Sequence, residues 1–154
     1  MQTRRQILIN AAGLLAGTAI GSGVEPQSAS ATPAMMRAAI RKVVGEAPLR
    51  KGKVKLDLPP LIENGNAVPM TISVESPMTE SDHVKAIHVF NEKNPQPYVV
   101  SVRLGPRAGK AAIAARIRLA DSQTVIAIAE MSDGSFWSDE ADVVVTLAAC
   151  VEGL

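Results

Sequence analysis

Short segments of alternating apolar and polar residues, cut apart by turn signals, constrain the fold of this chain most. In the first segment, Val54, Leu56 and Leu58 alternate with charged residues, which is typical of a strand with one face in water. Glycine, proline, asparagine and aspartate separate it from the segments that follow. Seven segments share this pattern: 53–58, 68–74, 84–90, 98–104, 111–119, 124–131 and 135–147.

No helical periodicity lies between these segments, and this excludes a parallel sheet. Parallel strands need crossover connections, which are usually helices. The sequence therefore predicts an all-β fold, an immunoglobulin-like antiparallel β-sandwich of about seven strands. Its core must be aliphatic, since 47% of the residues are hydrophobic but only 3% are aromatic.

One short helix is predicted before the strands, over Pro33–Val44. Thr32 followed by Pro33 is a typical helix start, with an N-cap residue and then proline at the first helical position. Met36 and Ile40 recur at helical spacing, and Gly45 is a natural stop. We expect this helix at the periphery of the domain.

The first 31 residues are interpreted as a twin-arginine signal peptide. Arg4 and Arg5 precede a mildly apolar stretch that is too short for a membrane span of about 20 residues. Small residues at positions 29–31 then offer a signal peptidase site. We expect export to the periplasm and cleavage after Ala31, with no membrane association afterwards. Residues 32–147 would form the domain and residues 148–154 a mobile C-terminal arm.

The charge balance of the chain argues against polyanionic partners. Lys and Arg number 16 and Asp and Glu number 15, which gives a net charge of +1. Such a balance offers no electrostatic reason to bind nucleic acid or an anionic membrane surface.

No familiar catalytic, metal or cofactor site is predicted. His83 and His88 would face opposite sides of a strand and could not share a metal ion. The glycine-rich stretch 105–111 lacks the spacing of a phosphate loop and precedes a strand. The carboxylates of Asp139, Glu140 and Asp142 fit a solvated strand face.

Cys150, the single cysteine, lies in the terminal stretch TLAACVEGL. An exported chain with one cysteine cannot form an internal disulfide, so the thiol stays free, pairs with another molecule or is capped. Cys150 could be a small buried residue at the end of the last strand. It could equally be a reactive thiol on a terminal tail. The residues alone leave both possibilities open.

Several longer stretches carry a resemblance to a known family. They are 52–59 (GKVKLDLP), 63–69 (ENGNAVP), 73–78 (SVESPM), 88–95 (HVFNEKNP), 104–109 (LGPRAG), 116–123 (RIRLADSQ) and 129–137 (AEMSDGSFW). Together they resemble SoxY, the sulfur-carrier subunit of the bacterial Sox system for thiosulfate oxidation. The twin-arginine signal fits this resemblance.

The resemblance implies a non-enzymatic carrier that binds sulfur intermediates covalently at Cys150, without catalytic residues, cofactor or metal of its own. It also implies a heterodimer with a SoxZ-like subunit. The clients would be three enzymes of the Sox type: a haem protein that conjugates thiosulfate to the thiol, a hydrolase that releases sulfate and a sulfane dehydrogenase.

The terminal arm departs from the family pattern Gly-Gly-Cys-Gly-Gly. Ala148 and Ala149 replace the glycines before the thiol and stiffen the arm. Val151 adds bulk after it, and Glu152 places a negative charge that favours the protonated thiol. A different cargo, or a structural role in which Cys150 packs or forms an intermolecular disulfide, is therefore the alternative.

Overall fold

The computed structural model describes residues 31–149, which fold into one α-helix, one turn of 3-10 helix and nine strands. Helix α1 spans Pro33–Val44. The strands are β1 (Leu49–Arg50), β2 (Val54–Asp57), β3 (Leu61–Ile62), β4 (Val68–Val74), β5 (Val84–Asn91), β6 (Tyr98–Arg103), β7 (Ala112–Ile117), β8 (Gln123–Met131) and β9 (Phe136–Val145).

Two sheets face each other across an apolar core. The larger sheet has the order β1-β9-β8-β5-β6, with β3 pairing separately with β9, and the smaller has the order β2-β4-β7. Strands β2, β4, β5, β6, β7, β8 and β9 pair antiparallel within their sheets. The predicted immunoglobulin-like sandwich is confirmed.

The strand count differs from the prediction because of two very short strands. The seven predicted segments correspond to the seven longer strands, whereas β1 and β3 have two residues each. Both of these pair parallel with β9, so the fold of the described residues is not purely antiparallel. Two residues are too few to show an alternating pattern in the sequence.

The main core lies between the sheets and is aliphatic, as predicted. Strand β4 alternates strictly between buried and exposed positions, so that Val68, Met70, Ile72 and Val74 point inward. Burial of each such side chain contributes about 1.5–3 kcal/mol through removal of apolar surface from water.

Helix α1 covers the outer face of the larger sheet and creates a second apolar cluster. The predicted bounds Pro33–Val44 are confirmed, and the Thr32 hydroxyl accepts a hydrogen bond from the Met35 amide as an N-cap. The helix buries Met36, Ala39, Ile40 and Val44 against Phe90, Ile128 and Phe136. The helix is thus peripheral in position but contributes its own cluster of buried side chains.

No helix among residues 31–149 is long and apolar enough to cross a membrane. Residues 1–30 of the predicted signal peptide, which spans 1–31, lie outside the described residues, and the export signal stays a prediction.

Candidate functional site: the C-terminal exit

The end of β9 is held in place by the short strand β3. Leu61 pairs with Val144, and Ile62 pairs with Val145. Beyond the strand, the Thr146 amide donates to the Ile62 carbonyl at 2.9 Å, and its hydroxyl contacts the carbonyls of Ile62 and Glu63. The chain is therefore still attached to the body after the sheet has ended.

Gly65 holds the next part of the chain, residues 147–149, against the body. Its amide donates to the Leu147 carbonyl at 2.8 Å, and its carbonyl accepts from the Leu119 amide at 2.8 Å. The Leu119 carbonyl in turn accepts from the Ala149 amide at 3.1 Å. We call these three segments, at Gly65, Leu119 and Leu147–Ala149, the exit clamp.

The exit clamp has no room for a side chain at position 65. A Cβ atom placed there would lie 2.3 Å from the Leu119 carbonyl oxygen and 2.9 Å from the Ala149 nitrogen. Both neighbours are backbone atoms that cannot move aside without breaking their hydrogen bonds. Glycine is required here for close approach of three chain segments.

The clamp holds the chain to the body as far as Ala149. Ala148 is exposed, but Ala149 is only 6% exposed and its amide is hydrogen-bonded. Cys150, the predicted attachment point, follows directly but lies outside the described residues, as do residues 151–154.

An apolar patch lies beside the exit. Leu61, Val144 and Leu147 are 58%, 54% and 61% exposed, and the first two are paired across β3 and β9. Neighbouring exposed aliphatic side chains, such as those of the paired residues Leu61 and Val144, are typical of interaction sites. The sequence could not identify this patch, because the exposure of Val144 and the burial of Val143 depend on which face of β9 meets the core.

The two histidines lie apart from the exit and have different partners. His83 precedes β5 and its Nδ1 contacts the Thr79 carbonyl, whereas Nδ1 of His88 contacts the Ser101 hydroxyl. Partial burial lowers the pKa of His88 below its usual value, and nearby Glu130 opposes this while Arg103 adds to it. The buried Nε2 of His88 has no hydrogen-bond partner among the described residues.

The other sequence features have structural roles. Residues 106–108 of the glycine-rich stretch form one turn of 3-10 helix before strand β7. Asp139 accepts hydrogen bonds from the amides of Leu56 and Glu140, and Asp142 accepts one from the Thr124 hydroxyl. No group of three or more His, Asp or Glu residues is placed to hold a metal ion within residues 31–149.

The fold defines the class of protein, a small immunoglobulin-like β-sandwich. The exit clamp holds its chain as far as Ala149, and the single cysteine follows in the sequence. Residues 40–150 match the family described as sulfur oxidation protein SoxY. The chain therefore belongs to the SoxY family. A search of curated proteins found no match.

Solved structures share this fold. The sulfur carrier protein SoxY from Chlorobium limicola f thiosulfatophilum superimposes with a TM-score of 0.62 at 24% identity, covering 74% of this chain and 98% of that one. A superoxide reductase (neelaredoxin) from Ignicoccus hospitalis gives 0.55 at 16% identity, covering 75% and 94%. A putative superoxide reductase from Thermotoga maritima gives 0.52 at 19% identity, covering 63% and 93%. At these identities the likeness shows the fold alone.

Proposed function

We propose that this protein is a periplasmic sulfur carrier that holds sulfur intermediates covalently on Cys150, in complex with a SoxZ-like subunit, and catalyses no step alone. Membership of the SoxY family supports the carrier role. The observation that carries the assignment to Cys150 is the exit clamp, which holds the chain to the body as far as Ala149 and leads into the only thiol.

The proposed chemistry needs a thiolate and external partners. The Cys150 thiolate and thiosulfate form an S–S bond and together lose two electrons to the haem protein, giving a thiosulfonate on the cysteine. Hydrolysis then breaks the bond between the sulfane sulfur and the sulfonate group, releasing sulfate and leaving a persulfide, which the dehydrogenase oxidises further. The carrier supplies the nucleophile, which is the ionised form of a thiol.

The clamp suits this role for a mechanical reason. A carrier must present its cargo to several enzymes in turn, while the folded body stays intact. Because Ala149 is tied to Leu119, which lies just beyond β7, motion of the terminal residues need not disturb the strands.

The first experiment is the intact mass of the protein isolated from the periplasm of cells given thiosulfate, with and without a reductant. We expect adducts that the reductant removes and that peptide mapping places on Cys150. The Cys150→Ser variant should lose every adduct, and its thermal transition should stay unchanged because position 150 lies beyond the clamp. A serine variant that still accepts sulfur would refute the proposal.

A second candidate is an interaction protein in which Cys150 forms an intermolecular disulfide. The exposed aliphatic side chains of Leu61, Val144 and Leu147 favour this candidate, because a partner that covers them would contact the chain three residues before Cys150. Non-reducing electrophoresis of the periplasmic protein distinguishes the two. A disulfide-linked partner without any sulfur adduct would support the second candidate.

A further inference from the structure

One side of the sandwich is closed and the opposite side is open. On the closed side, the Asp139 carboxylate reaches from β9 and accepts a hydrogen bond from the Leu56 amide of β2 at 2.9 Å. On the other side, β6 ends the larger sheet and β7 ends the smaller one. No hydrogen bond joins β6 to β7 within residues 31–149. We call this second side the open side.

A groove runs between the two edge strands of the open side. Its volume is about 420 Å³, and its lining comes from Asn94, from Tyr98–Val100 of β6 and from residues 115–118 along and just past β7. Val99, Val100 and Ile113 pack against the main core but are only partly buried. The core is therefore incompletely covered at the point where both sheets present free edges. Such edges are templates for pairing with another chain.

The open side is also strongly cationic. Residues 94–120, which form β6, β7 and their connection, contain five basic side chains and no acidic one. All five are exposed, and none forms an ion pair within the described residues. They are Arg103, Arg107, Lys110, Arg116 and Arg118. The chain as a whole is nearly neutral, so this concentration of charge is local.

We propose that the open side docks an extended, acidic segment of a different protein, which lies in the groove and pairs with the edge strands. Backbone groups of β6 and β7 would supply hydrogen bonds, the groove would accept alternate apolar side chains, and the five cations would pair with acidic ones. A two-fold contact between copies of this chain would instead place five cations against five. The inference does not depend on what Cys150 carries.

The closed side already shows a carboxylate that binds the backbone of an edge strand. There a carboxylate already satisfies the backbone amide of an edge strand and joins the two sheets. The docked segment would do the same for the open side and would complete the cover of Val99, Val100 and Ile113. Nucleic acid fits less well, because single-strand binding relies on stacking of bases on aromatic side chains, and Tyr98 is the single aromatic side chain of the lining.

Photo-crosslinking in the native periplasm tests the proposal with the full chain. A diazirine amino acid replaces Ala115, which lines the groove, and in the control it replaces Ala114, which is exposed on the same strand outside the lining. We expect position 115, and not 114, to cross-link to an acidic segment of another protein, and mass spectrometry identifies the linked peptide. A linked peptide that is not acidic, a peptide of this chain, a lipid, a nucleic acid or no product at all would overturn the proposal.

Charge reversal supplies the second arm. The Arg116→Glu/Arg118→Glu pair should reduce the yield of cross-linked product by about tenfold, as should high salt, because both oppose the same attraction. Arg37→Glu/Arg41→Glu, on α1, changes the charge equally and should leave the yield intact. If the Arg116→Glu/Arg118→Glu variant shows no thermal unfolding transition, Arg107→Glu/Lys110→Glu in the connecting loop takes its place. An unchanged yield of cross-linked product in a folded variant contradicts the proposal. The mass of Cys150 adducts in the same samples reports separately whether the protein still carries sulfur.

Discussion

At the scale of single residues, Gly65 illustrates how a residue remote in sequence fixes the path of the chain up to Ala149, the residue before Cys150. The sequence Asn64-Gly65-Asn66 predicts only a turn, and the Asn64 side chain does accept the Asn66 amide at 2.9 Å. What makes Gly65 indispensable is the approach of Leu119 and Ala149, which are remote in sequence. The path of the chain up to Ala149 thus depends on a contact that no local pattern shows.

We expect Gly65→Ala to loosen the exit clamp. The added Cβ cannot coexist with the Leu119 carbonyl, so the bonds from Leu119 to Gly65 and from Ala149 to Leu119 should break. The free energy of unfolding should fall by about 1–3 kcal/mol, the usual cost of inserting atoms into packed structure. A spin label on Cys150, which needs no engineering because the cysteine is single, should become more mobile.

Gly105→Ala is the matched control for this change. Position 105 has extended φ and nothing within 4 Å of an added Cβ. The control should therefore alter neither the stability nor the spectrum of the label. If the label in Gly65→Ala keeps its wild-type mobility, the clamp does not control the exit of the arm.

At the scale of elements, Asp139 joins two strands that belong to different sheets. Strand β2 is an edge strand that pairs only with β4. Without Asp139, the Leu56 amide on the free edge of β2 would have no acceptor. The carboxylate from β9 provides one. Leu56 is a buried residue and the bond is partly buried, so it should contribute measurably to stability.

Removing this carboxylate should lower stability. We expect Asp139→Ala to reduce the free energy of unfolding by about 1.5–3 kcal/mol, because a buried amide donor loses a charged acceptor. Asp139→Asn keeps an oxygen acceptor and should lose less. Urea denaturation measures both, with Asp142→Ala as the control, since its bond to the Thr124 hydroxyl lies on the exposed face. Equal losses for the two alanine variants would show that Asp139 does not join the sheets.

The elements also show how far the sequence could predict the fold. Alternation and turn chemistry are local, so the seven longer strands could be predicted. The helix bounds were predictable as well, because the signals at each end are local. Thr32 and Pro33 act on the first turn, and Gly45 acts on the last. The pairing of β3 with β9 was not, since Leu61–Ile62 and Val144–Val145 are remote in sequence and are brought together only by the tertiary fold. Cys150 could be selected by counting cysteines, whereas the clamp that precedes it could not.

At the scale of the whole molecule, the larger sheet separates two apolar clusters. The main core fills the space between the sheets, and the outer cluster lies beneath α1. In β5 the division follows the alternation of the strand, since Val89 belongs to the main core and Phe90 to the outer cluster. We therefore expect the helix to detach without opening the sandwich, although detachment would expose Phe90 and Ile128.

We expect matched substitutions in the two clusters to differ in whether they affect global unfolding or only local opening of the helix. Ile72→Ala empties part of the main core and should lower the free energy of global unfolding by about 2–5 kcal/mol. Ile40→Ala removes the same atoms from beneath the helix. Its effect should appear mainly as a lower free energy of local opening for the amides of α1.

Native-state hydrogen exchange separates these outcomes, because it reports an opening free energy for each amide. In the wild type, amides of α1 should exchange with a lower opening free energy than those of β4. Ile40→Ala should lower the values in α1 and leave those of β4 nearly unchanged, whereas Ile72→Ala should lower the values in β4. If α1 and β4 shared one opening free energy in all three proteins, the helix and the sandwich would be a single cooperative unit and the two-cluster interpretation would be wrong.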